Sequence, residues 1–354
     1  MPELVLVTGG SGYIGGWCVA ELLRRGYDVR TTVRGRDRER AVTEAVAQVA
    51  DPAGRLRFAV ADLTSDEGWD AALEGVDRVL HVASPLGLTA ADPGALVATA
   101  RDGALRVLRA ATAAGVGRVV MTSAANAASP SSYAEEGVTD ETLWTDPDDP
   151  RLIPYRRSKT VAERAAWDFV AAHDGPTELT TVLPGAVFGP VLTPDTRGSV
   201  GVVARMLTGG MRGVPRIGLE VVDVRDLVDV HIRAMTSPRA AGERFLATGE
   251  FIWMADMARA LRDGLGRTAA RWPQGRSQTL PYGSRPGSPT RPCARSRPRS
   301  AAATATAPRR RAASWAGSPG RPGRRCWTAP AASSTTGRCD PARGEIRVCP
   351  APPG

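Results

Sequence analysis

The sequence predicts an α/β fold, a doubly wound parallel sheet with helices on both faces. The chain has 354 residues, which is enough for one large domain or two. Between residues 4 and 183, short apolar runs of strand length alternate with segments whose apolar residues recur at helical spacing. Such alternation indicates parallel strands joined by crossover helices. Several strands end in glycine or small polar residues, at the edge where sheets of this kind bind ligands.

The first strand and the turn after it predict a nucleotide-binding site of the Rossmann type. Residues 4–7 are apolar, residues 8–15 read Thr-Gly-Gly-Ser-Gly-Tyr-Ile-Gly, and a helical pattern then runs to Gly26. Glycines here let a pyrophosphate approach the backbone, while the start of the helix offers free N–H groups and the positive end of its dipole. The candidate contacts are Gly9, Gly12, Tyr13, Ile14 and Gly15.

The end of the second strand indicates which dinucleotide is preferred. The strand over residues 29–33 is followed by Arg34, with Arg36 and Arg38 close behind. An acidic residue at this place would hold the ribose 2′-hydroxyl of NAD, whereas an arginine suits the 2′-phosphate of NADP. We therefore expect NADP(H), with NAD(H) less favoured. The alternative is a solvated run of charge that opens a helix over residues 38–50.

The third strand, over residues 57–63, ends in two candidate cofactor contacts, Asp62 and Leu63. Asp62 can accept a hydrogen bond from the adenine amino group. The alternative is that it caps a helix starting near Ser65.

The fourth strand, over residues 76–82, leads to Ala83 and Ser84. Their small side chains would let the backbone pass close to a cofactor, so both are candidate contacts. His81, at the end of this strand, is interpreted as a core histidine.

A tyrosine and the only lysine of the chain lie four residues apart. Pro154 opens a predicted helix that carries Tyr155 and Lys159. Residues four apart share one helix face, so the phenol and the ammonium can share one site. The ammonium charge would lower the pKa of the phenol from its reference of about 10 and let it act as a general acid or base. The alternative is a solvated lysine beside an unrelated tyrosine.

Beyond this helix the pattern continues to residue 266. Its segments are a strand over 179–183, the sequence Pro-Gly-Ala-Val-Phe-Gly-Pro over 184–190, a helix near 199–208, a strand near 220–224 and a helix over 254–265. We expect an NADP-binding domain with the catalytic helix over residues 1–190. A partial substrate-binding region would follow over residues 191–266.

Together these motifs resemble the extended short-chain dehydrogenase/reductase family, within the NAD-dependent epimerase/dehydratase superfamily. The resemblance covers about residues 3–266 and rests on the glycine turn, the tyrosine–lysine pair and residues 184–190. Asp223-Val-Arg-Asp226 and His231 also fit the family pattern. Within the family, residues 32–34 and 81–85 look most like the dihydroflavonol reductase, cinnamoyl-CoA reductase and aldehyde reductase branch, which uses NADPH.

The resemblance implies roles for four residues. Tyr155 would donate a proton to the substrate carbonyl while hydride leaves the nicotinamide. Lys159 would depress the pKa of the tyrosine and hold the nicotinamide ribose, and Pro184 and Val187 would line the nicotinamide pocket.

One departure from the family pattern concerns the substrate oxygen. The branch commonly has Thr-Ser-Ser after strand five, and its second serine helps to bind the substrate carbonyl. The chain has Ala124 at that position. We expect Ser123 to take the role, with Thr122 as the alternative, since either hydroxyl can donate.

Charge separates the last part of the chain from the rest. Residues 267–354 contain 17 arginines, Asp340 and Glu345, a net charge of +15, which leaves −6 for residues 1–266. The cysteines indicate neither a metal site nor a disulfide framework. Because the sequence shows no basic leader and no run of about 18 apolar residues, we expect a cytoplasmic protein without a membrane partner. A monomer and a homodimer are both open.

The composition of residues 267–354, rich in arginine and proline, is typical of disorder. A basic arm for nucleic acid is a less favoured interpretation. We favour a frameshift, because reading Ser314-Trp315-Ala316-Gly317 one base earlier permits Leu-Leu-Gly-Trp, which resembles a segment near the end of this family. That segment helps to form the family's substrate pocket, so a shifted frame would spare the cofactor half and scramble the substrate lid.

The expected function is NADPH-dependent reduction of an aldehyde or ketone. One alternative is a nucleotide-sugar epimerase or dehydratase, which Arg34 argues against because those enzymes more often retain NAD. The other is a catalytically weak NADP-binding sensor protein, which Ala124 and the altered tail would favour.

Overall fold

The computed structural model describes residues 2–86, 92–130, 138–193, 198–211 and 213–266. The tail over residues 267–354, for which a frameshift was inferred, lies outside these ranges. The described residues form a seven-stranded and a three-stranded sheet.

The large sheet is parallel throughout, which confirms the predicted fold class. The strands are β1 (Leu4–Thr8), β2 (Asp28–Val33), β3 (Leu56–Val60), β4 (Arg78–His81), β5 (Arg118–Thr122), β6 (Glu178–Pro184), β7 (Ala186–Phe188), β8 (Gly218–Asp223), β9 (Arg244–Ala247) and β10 (Phe251–Trp253). The large sheet has the order β3-β2-β1-β4-β5-β6-β9. The strand order reverses between β1 and β4, and this creates the crevice in which doubly wound sheets bind ligands.

The described residues form eight α-helices, most of which cover the two faces of the large sheet. They are α1 (Tyr13–Arg24), α2 (Glu39–Ala47), α3 (Trp69–Leu73), α4 (Pro93–Ala113), α5 (Pro154–Ala171), α6 (Ser199–Leu207), α7 (Val224–Thr236) and α8 (Met254–Leu265). Alternate strand residues point to opposite faces. Val5 and Val7 therefore join the core under α1, α2 and α7, whereas Leu6 joins the core under α3, α4 and α5.

A smaller layer lies beside the carboxyl end of β6. In it β8 pairs with β7 in parallel and with β10 in antiparallel fashion. Helices α6 and α8 pack here through Met206, Met254 and Met257. Residues 191–266 do not all belong to this layer, since α7 packs on the large sheet and β9 extends that sheet beside β6.

Three strands were not expected from the sequence. β7, β9 and β10 contain only three or four residues each. Runs this short do not establish an alternating pattern, so only their pairing partners define them.

Candidate active site

The turn between β1 and α1 is so tight that it requires glycine. Gly9 has φ +74°, in the left-handed region, and its carbonyl accepts a hydrogen bond from the Gly12 N–H at 2.9 Å. A Cβ on Gly15 would lie 2.2 Å from Gly9 O, and one on Gly10 would lie 2.2 Å from Thr31 Oγ1. The strand, the turn and the helix therefore pack without room for a side chain.

The N-terminus of α1 fits the pyrophosphate of a dinucleotide. Its N-cap, Gly12, supplies no side chain, and the first turn of the helix has no acidic residue. The first N–H groups of a helix lack intrahelical partners, so those of Tyr13 and Ile14 are suited to an anion. A Cβ on Gly12 would meet only Gly9 O, at 3.2 Å. The remaining space beside Gly12 leaves room for a phosphate to approach.

A buried threonine holds the end of β4 against this turn. Thr8 Oγ1 accepts the N–H groups of Val82 and Ala83, both at 3.0 Å, and lies 2.9 Å from His81 Nδ1. With both lone pairs occupied, the Thr8 hydroxyl donates its proton to Nδ1. Burial lowers the pKa of His81 to about 3, so this residue is a neutral core histidine, as expected. This brings Ala83 close to the turn, so that a Cβ added to Gly9 would lie 3.0 Å from the Cβ of Ala83.

The ends of β2 and β3 bring Arg34 near Asp62. Asp62 Oδ1 accepts the N–H and the hydroxyl of Thr64 at 2.8 and 2.6 Å. These bonds, and secondarily the charge of Arg34, lower the pKa of Asp62. The alternative role proposed for Asp62 is wrong in detail, because α3 begins at Trp69 rather than near Ser65 and Asp62 closes a turn instead. Arg34 is exposed and has room to meet a phosphate.

The four remaining predicted cofactor contacts lie in, or shortly after, strands of the two sheets. Leu63 packs against Gly103 of α4, Ser84 is half-buried, and Pro184 is buried at the end of β6. The N–H of Val187, in β7, donates to Ser199 Oγ at 3.2 Å. The first three therefore lie at the carboxyl edge of the large sheet.

Tyr155 and Lys159 meet on α5, as the spacing predicted. The Lys159 ammonium lies 6.0 Å from the centroid of the Tyr155 ring. The expected lowering of the tyrosine pKa is not seen, because burial raises the pKa of Tyr155 to about 12. Burial also lowers the pKa of Lys159 to about 8, so the ammonium is still mostly charged at neutral pH and loses its proton just above it. Tyr155 is therefore protonated over the physiological range.

Ser123 does not present its proton to a substrate in this structure. Its side chain is buried, with 2% exposure, and its hydroxyl donates to Glu163 Oε2 at 2.5 Å. A serine has one proton to donate. This geometry is at odds with the expected role of Ser123 as a substrate ligand. The buried Glu163 carboxylate is a stronger hydrogen-bond acceptor than the carbonyl oxygen of a substrate, so it keeps the proton of Ser123.

The hydroxyl of Thr122 is likewise used in a buried hydrogen bond. Its Oγ1 lies 2.8 Å from His231 Nε2, while His231 Nδ1 lies 2.8 Å from the carbonyl of Leu227. A carbonyl only accepts, so Nδ1 carries the hydrogen and Thr122 donates to Nε2. Burial lowers the pKa of His231 to about 4, which keeps the ring neutral. Ala124, two residues after Thr122, is buried and offers no donor side chain.

Tyr13 carries a hydroxyl that the sequence left without a role. It is buried and has no hydrogen-bond partner among the described residues. Its pKa is raised by burial and, to a lesser extent, by the negative charge of Asp223. Asp223 caps α7 by accepting the Arg225 N–H at 2.8 Å and pairs with the Arg225 guanidinium at 2.9 and 2.8 Å.

Two charged residues at the site were not singled out from the sequence. Glu163 is fully buried on α5, and Arg244 on β9 donates to it at 2.8 Å. Glu163 follows Lys159 by four residues, so helical spacing was the signal that could have found it. Arg244 lies on a strand too short to be recognised.

The described residues contain neither a cluster of metal ligands nor a helix that could span a membrane. No group of three or more His, Cys, Asp and Glu residues there could hold a metal ion. No helix in the same part of the chain is both long and apolar enough to cross a membrane.

The sheet, the glycine turn and the tyrosine–lysine pair together define an α/β protein of the Rossmann type. The chain belongs to the NAD dependent epimerase/dehydratase family, whose sequence profile matches residues 5–247. This confirms the resemblance drawn from the motifs.

The relatives of the chain include plant reductases. It is 37% identical over 248 residues to cinnamoyl-CoA reductase 1 of Arabidopsis thaliana, covering 69% of this chain and 70% of the relative. It is 32% identical over 270 residues to dihydroflavonol 4-reductase of Zea mays, covering 73% of each. Among solved structures, Gre2 of Candida albicans in complex with NADPH has a TM-score of 0.67 at 26% identity, over 76% of this chain and 84% of that one.

Proposed function

We propose that the protein reduces an aldehyde or ketone with NADPH and that Tyr155 is the proton donor. The observation that carries this proposal is the pair on α5 of a half-buried Tyr155 and a buried Lys159, together with the glycine turn at the carboxyl edge of the same sheet. When bound, the reduced nicotinamide supplies a hydride to the carbonyl carbon. The chain itself must then bind the dinucleotide, orient the carbonyl and deliver one proton to its oxygen.

NADP is the dinucleotide that the described residues fit best. The N-terminus of α1 would accept the pyrophosphate, and Arg34, exposed just after β2, would pair with the 2′-phosphate. Asp62, with its lowered pKa, is an acceptor suited to the adenine amino group. The Gre2 structure solved with NADPH supports the same choice.

Tyr155 suits proton donation in the reducing direction. Its pKa of about 12 keeps the phenol protonated at neutral pH, so the acid form is the one present. After donation the site holds a phenolate, which the positive charge of Lys159 stabilises. The pair therefore acts as an acid with a nearby counter-charge.

The test is NADPH oxidation at 340 nm with a panel of aldehydes and ketones, including hydroxycinnamoyl-type and small aliphatic carbonyls. Tyr155→Phe should bind NADPH with unchanged affinity and lose turnover by about 10²-fold or more. Phe169→Tyr, on the same helix, is the matched control and should keep turnover. No oxidation with any carbonyl, or full activity in Tyr155→Phe, would refute the proposal.

A second candidate is an NADP-binding protein of low turnover. It is favoured by the hydroxyls of Ser123 and Thr122, both of which are committed to other partners, and by Ala124. Comparison of the dissociation constant for NADPH with kcat separates the two: tight binding with turnover close to background would favour the binder.

A further inference from the structure

Glu163 is a buried carboxylate one helical turn beyond Lys159, and it joins four elements of the fold. It lies on α5 with no exposed surface. It accepts the Ser123 hydroxyl from the end of β5 at 2.5 Å, the Thr181 hydroxyl from β6 at 2.8 Å and the Arg244 Nε–H from β9 at 2.8 Å. A carboxylate with three such donors is satisfied in its charged form.

Arg244 extends this network to the segment that precedes the catalytic helix. Its side chain is 9% exposed, and its Nη1 donates to the carbonyls of Glu141 and Leu143 at 2.5 and 2.9 Å. Its guanidinium carbon lies 3.6 Å from the centroid of the Trp144 ring. Glu163, through Arg244, thus fixes both α5 and the segment leading into it.

The Lys159 ammonium has no hydrogen bond or ion pair with any residue that the structure describes, although Lys159 is only 5% exposed. The ionisable groups near it there are Tyr155 and Glu163 of α5 and His81 of β4, and His231 of α7 is the partner of Thr122 at the end of β5. Both histidines are neutral and Tyr155 is protonated. Among the described residues that act on Lys159, Glu163 is the anion that can balance the ammonium.

We propose that Glu163 is a positioning residue of the active site, which holds α5 in register with β5, β6 and β9 and keeps Lys159 positively charged. The inference rests on the proposed function, since a charged Lys159 is needed beside the phenolate. Burial and the carboxylate act in opposite directions on this lysine, the first lowering its pKa and the second raising it. Removal of the carboxylate leaves the effect of burial unopposed, so the ammonium should lose its proton at lower pH.

The chain offers a direct measurement, because Lys159 is its only lysine. Protein labelled with ¹³C-lysine should give a single side-chain Cε signal, whose shift with pH reports the charge of Lys159 without any substrate. The midpoint should lie near pH 8 in the natural chain. In Glu163→Gln it should fall by about one pH unit or more, as expected when a nearby opposite charge is lost.

Thr181→Val is the matched control. It removes one hydrogen bond to Glu163 and no charge, so it should lower the melting temperature and leave the Lys159 midpoint in place. If Glu163→Gln leaves Arg244 unbalanced and fails to fold, Glu163→Gln/Arg244→Gln removes both charges. That double variant should still show the lower midpoint, because Glu163 is the charge that acts on Lys159.

The inference is overturned if the midpoint in the Glu163 variants equals that of the natural chain, or if Thr181→Val moves it equally. A loss of all carbonyl reduction in the natural chain, with the midpoint shifted in Glu163→Gln, would reject the proposed function and leave the role of Glu163 standing. In an active enzyme, the alkaline decline of kcat should also move to lower pH in Glu163→Gln and stay in place in Thr181→Val.

Discussion

Both hydroxyl groups at the end of β5 donate their protons to buried protein groups. Ser123 gives its proton to Glu163 and Thr122 gives its proton to His231. Neither can donate to a substrate oxygen without breaking a buried hydrogen bond, which leaves an unsatisfied partner and costs about 1–3 kcal/mol. In the proposed reaction this leaves Tyr155 as the donor to the carbonyl oxygen.

A serine placed at position 124 should supply the missing second donor. We expect Ala124→Ser to raise kcat about tenfold or more, because a positioned donor to a developing oxyanion is typically worth 10²–10³-fold and the new side chain will not be perfectly oriented. Steady-state kinetics with NADPH and the best carbonyl substrate measure this. Ala125→Ser, one residue further on, is the control and should leave kcat within twofold. An unchanged kcat in Ala124→Ser would show that position 124 does not face the substrate.

The two buried histidines make stability depend on acid. His81 and His231 have pKa values lowered to about 3 and about 4, whereas the unfolded chain binds their protons near pH 6.5. Below pH 6.5 the unfolded state binds protons at these histidines and the folded state does not, so the free energy of unfolding falls as the pH falls.

We expect the free energy of unfolding to decline between pH 6.5 and pH 5 by up to about 1.4 kcal/mol per pH unit for each buried histidine. Urea denaturation at a series of pH values measures the slope. His173 is exposed, so His173→Asn should keep the full slope, whereas His231→Gln should reduce it. Equal slopes in both variants would mean that the buried histidines do not control the acid response.

At the scale of elements, the turn between β1 and α1 should tolerate no added carbon. Gly15→Ala would place a Cβ 2.2 Å from Gly9 O, a backbone atom that cannot move without opening the turn. We expect a loss of about 1–3 kcal/mol in stability and NADPH binding weakened by at least tenfold. Thermal melts and fluorescence titration with NADPH measure the two effects.

Gly117 offers the matched control for this substitution. A Cβ there would meet nothing within 4 Å, so Gly117→Ala should bind NADPH as the natural chain does. Normal NADPH affinity in Gly15→Ala would contradict the assignment of this turn to the cofactor.

The same elements show what the sequence could and could not reveal. The glycine turn and the Tyr155–Lys159 pair were predictable, because their function depends on local spacing within one turn and one helix. The network around Ser123 is not predictable in this way, since its partner Glu163 comes from another element and Arg244, which donates to Glu163, lies on a four-residue strand. The direction of the pKa shift of Tyr155 is not predictable for a similar reason. The charge of Lys159 can be read from the sequence, whereas the burial that raises the tyrosine pKa depends on the whole fold.

At the scale of the whole molecule, the frameshift inferred for residues 267–354 leads to a comparison of two chains. We expect the coding DNA, read one base earlier in this region, to encode a segment similar to the family's C-terminal end. A chain with that frame restored should bind NADPH as the present chain does and turn over carbonyls faster, by about tenfold or more, because remote substrate contacts contribute to kcat. A chain ending at residue 266 is the control. Equal turnover in all three chains would show that the tail has no part in catalysis.

The position of Lys159 has a further consequence for a protein that handles reactive carbonyls. Aldehydes condense with uncharged primary amines to form imines. Lys159 is the only lysine of the sequence, whose other basic side chains are arginines and three histidines, so Lys159 carries the one side-chain primary amine at which such an adduct can form. We therefore expect aldehydes to form few imines with the side chains of this protein. The one side chain that can form an imine is 5% exposed and lies beside Tyr155.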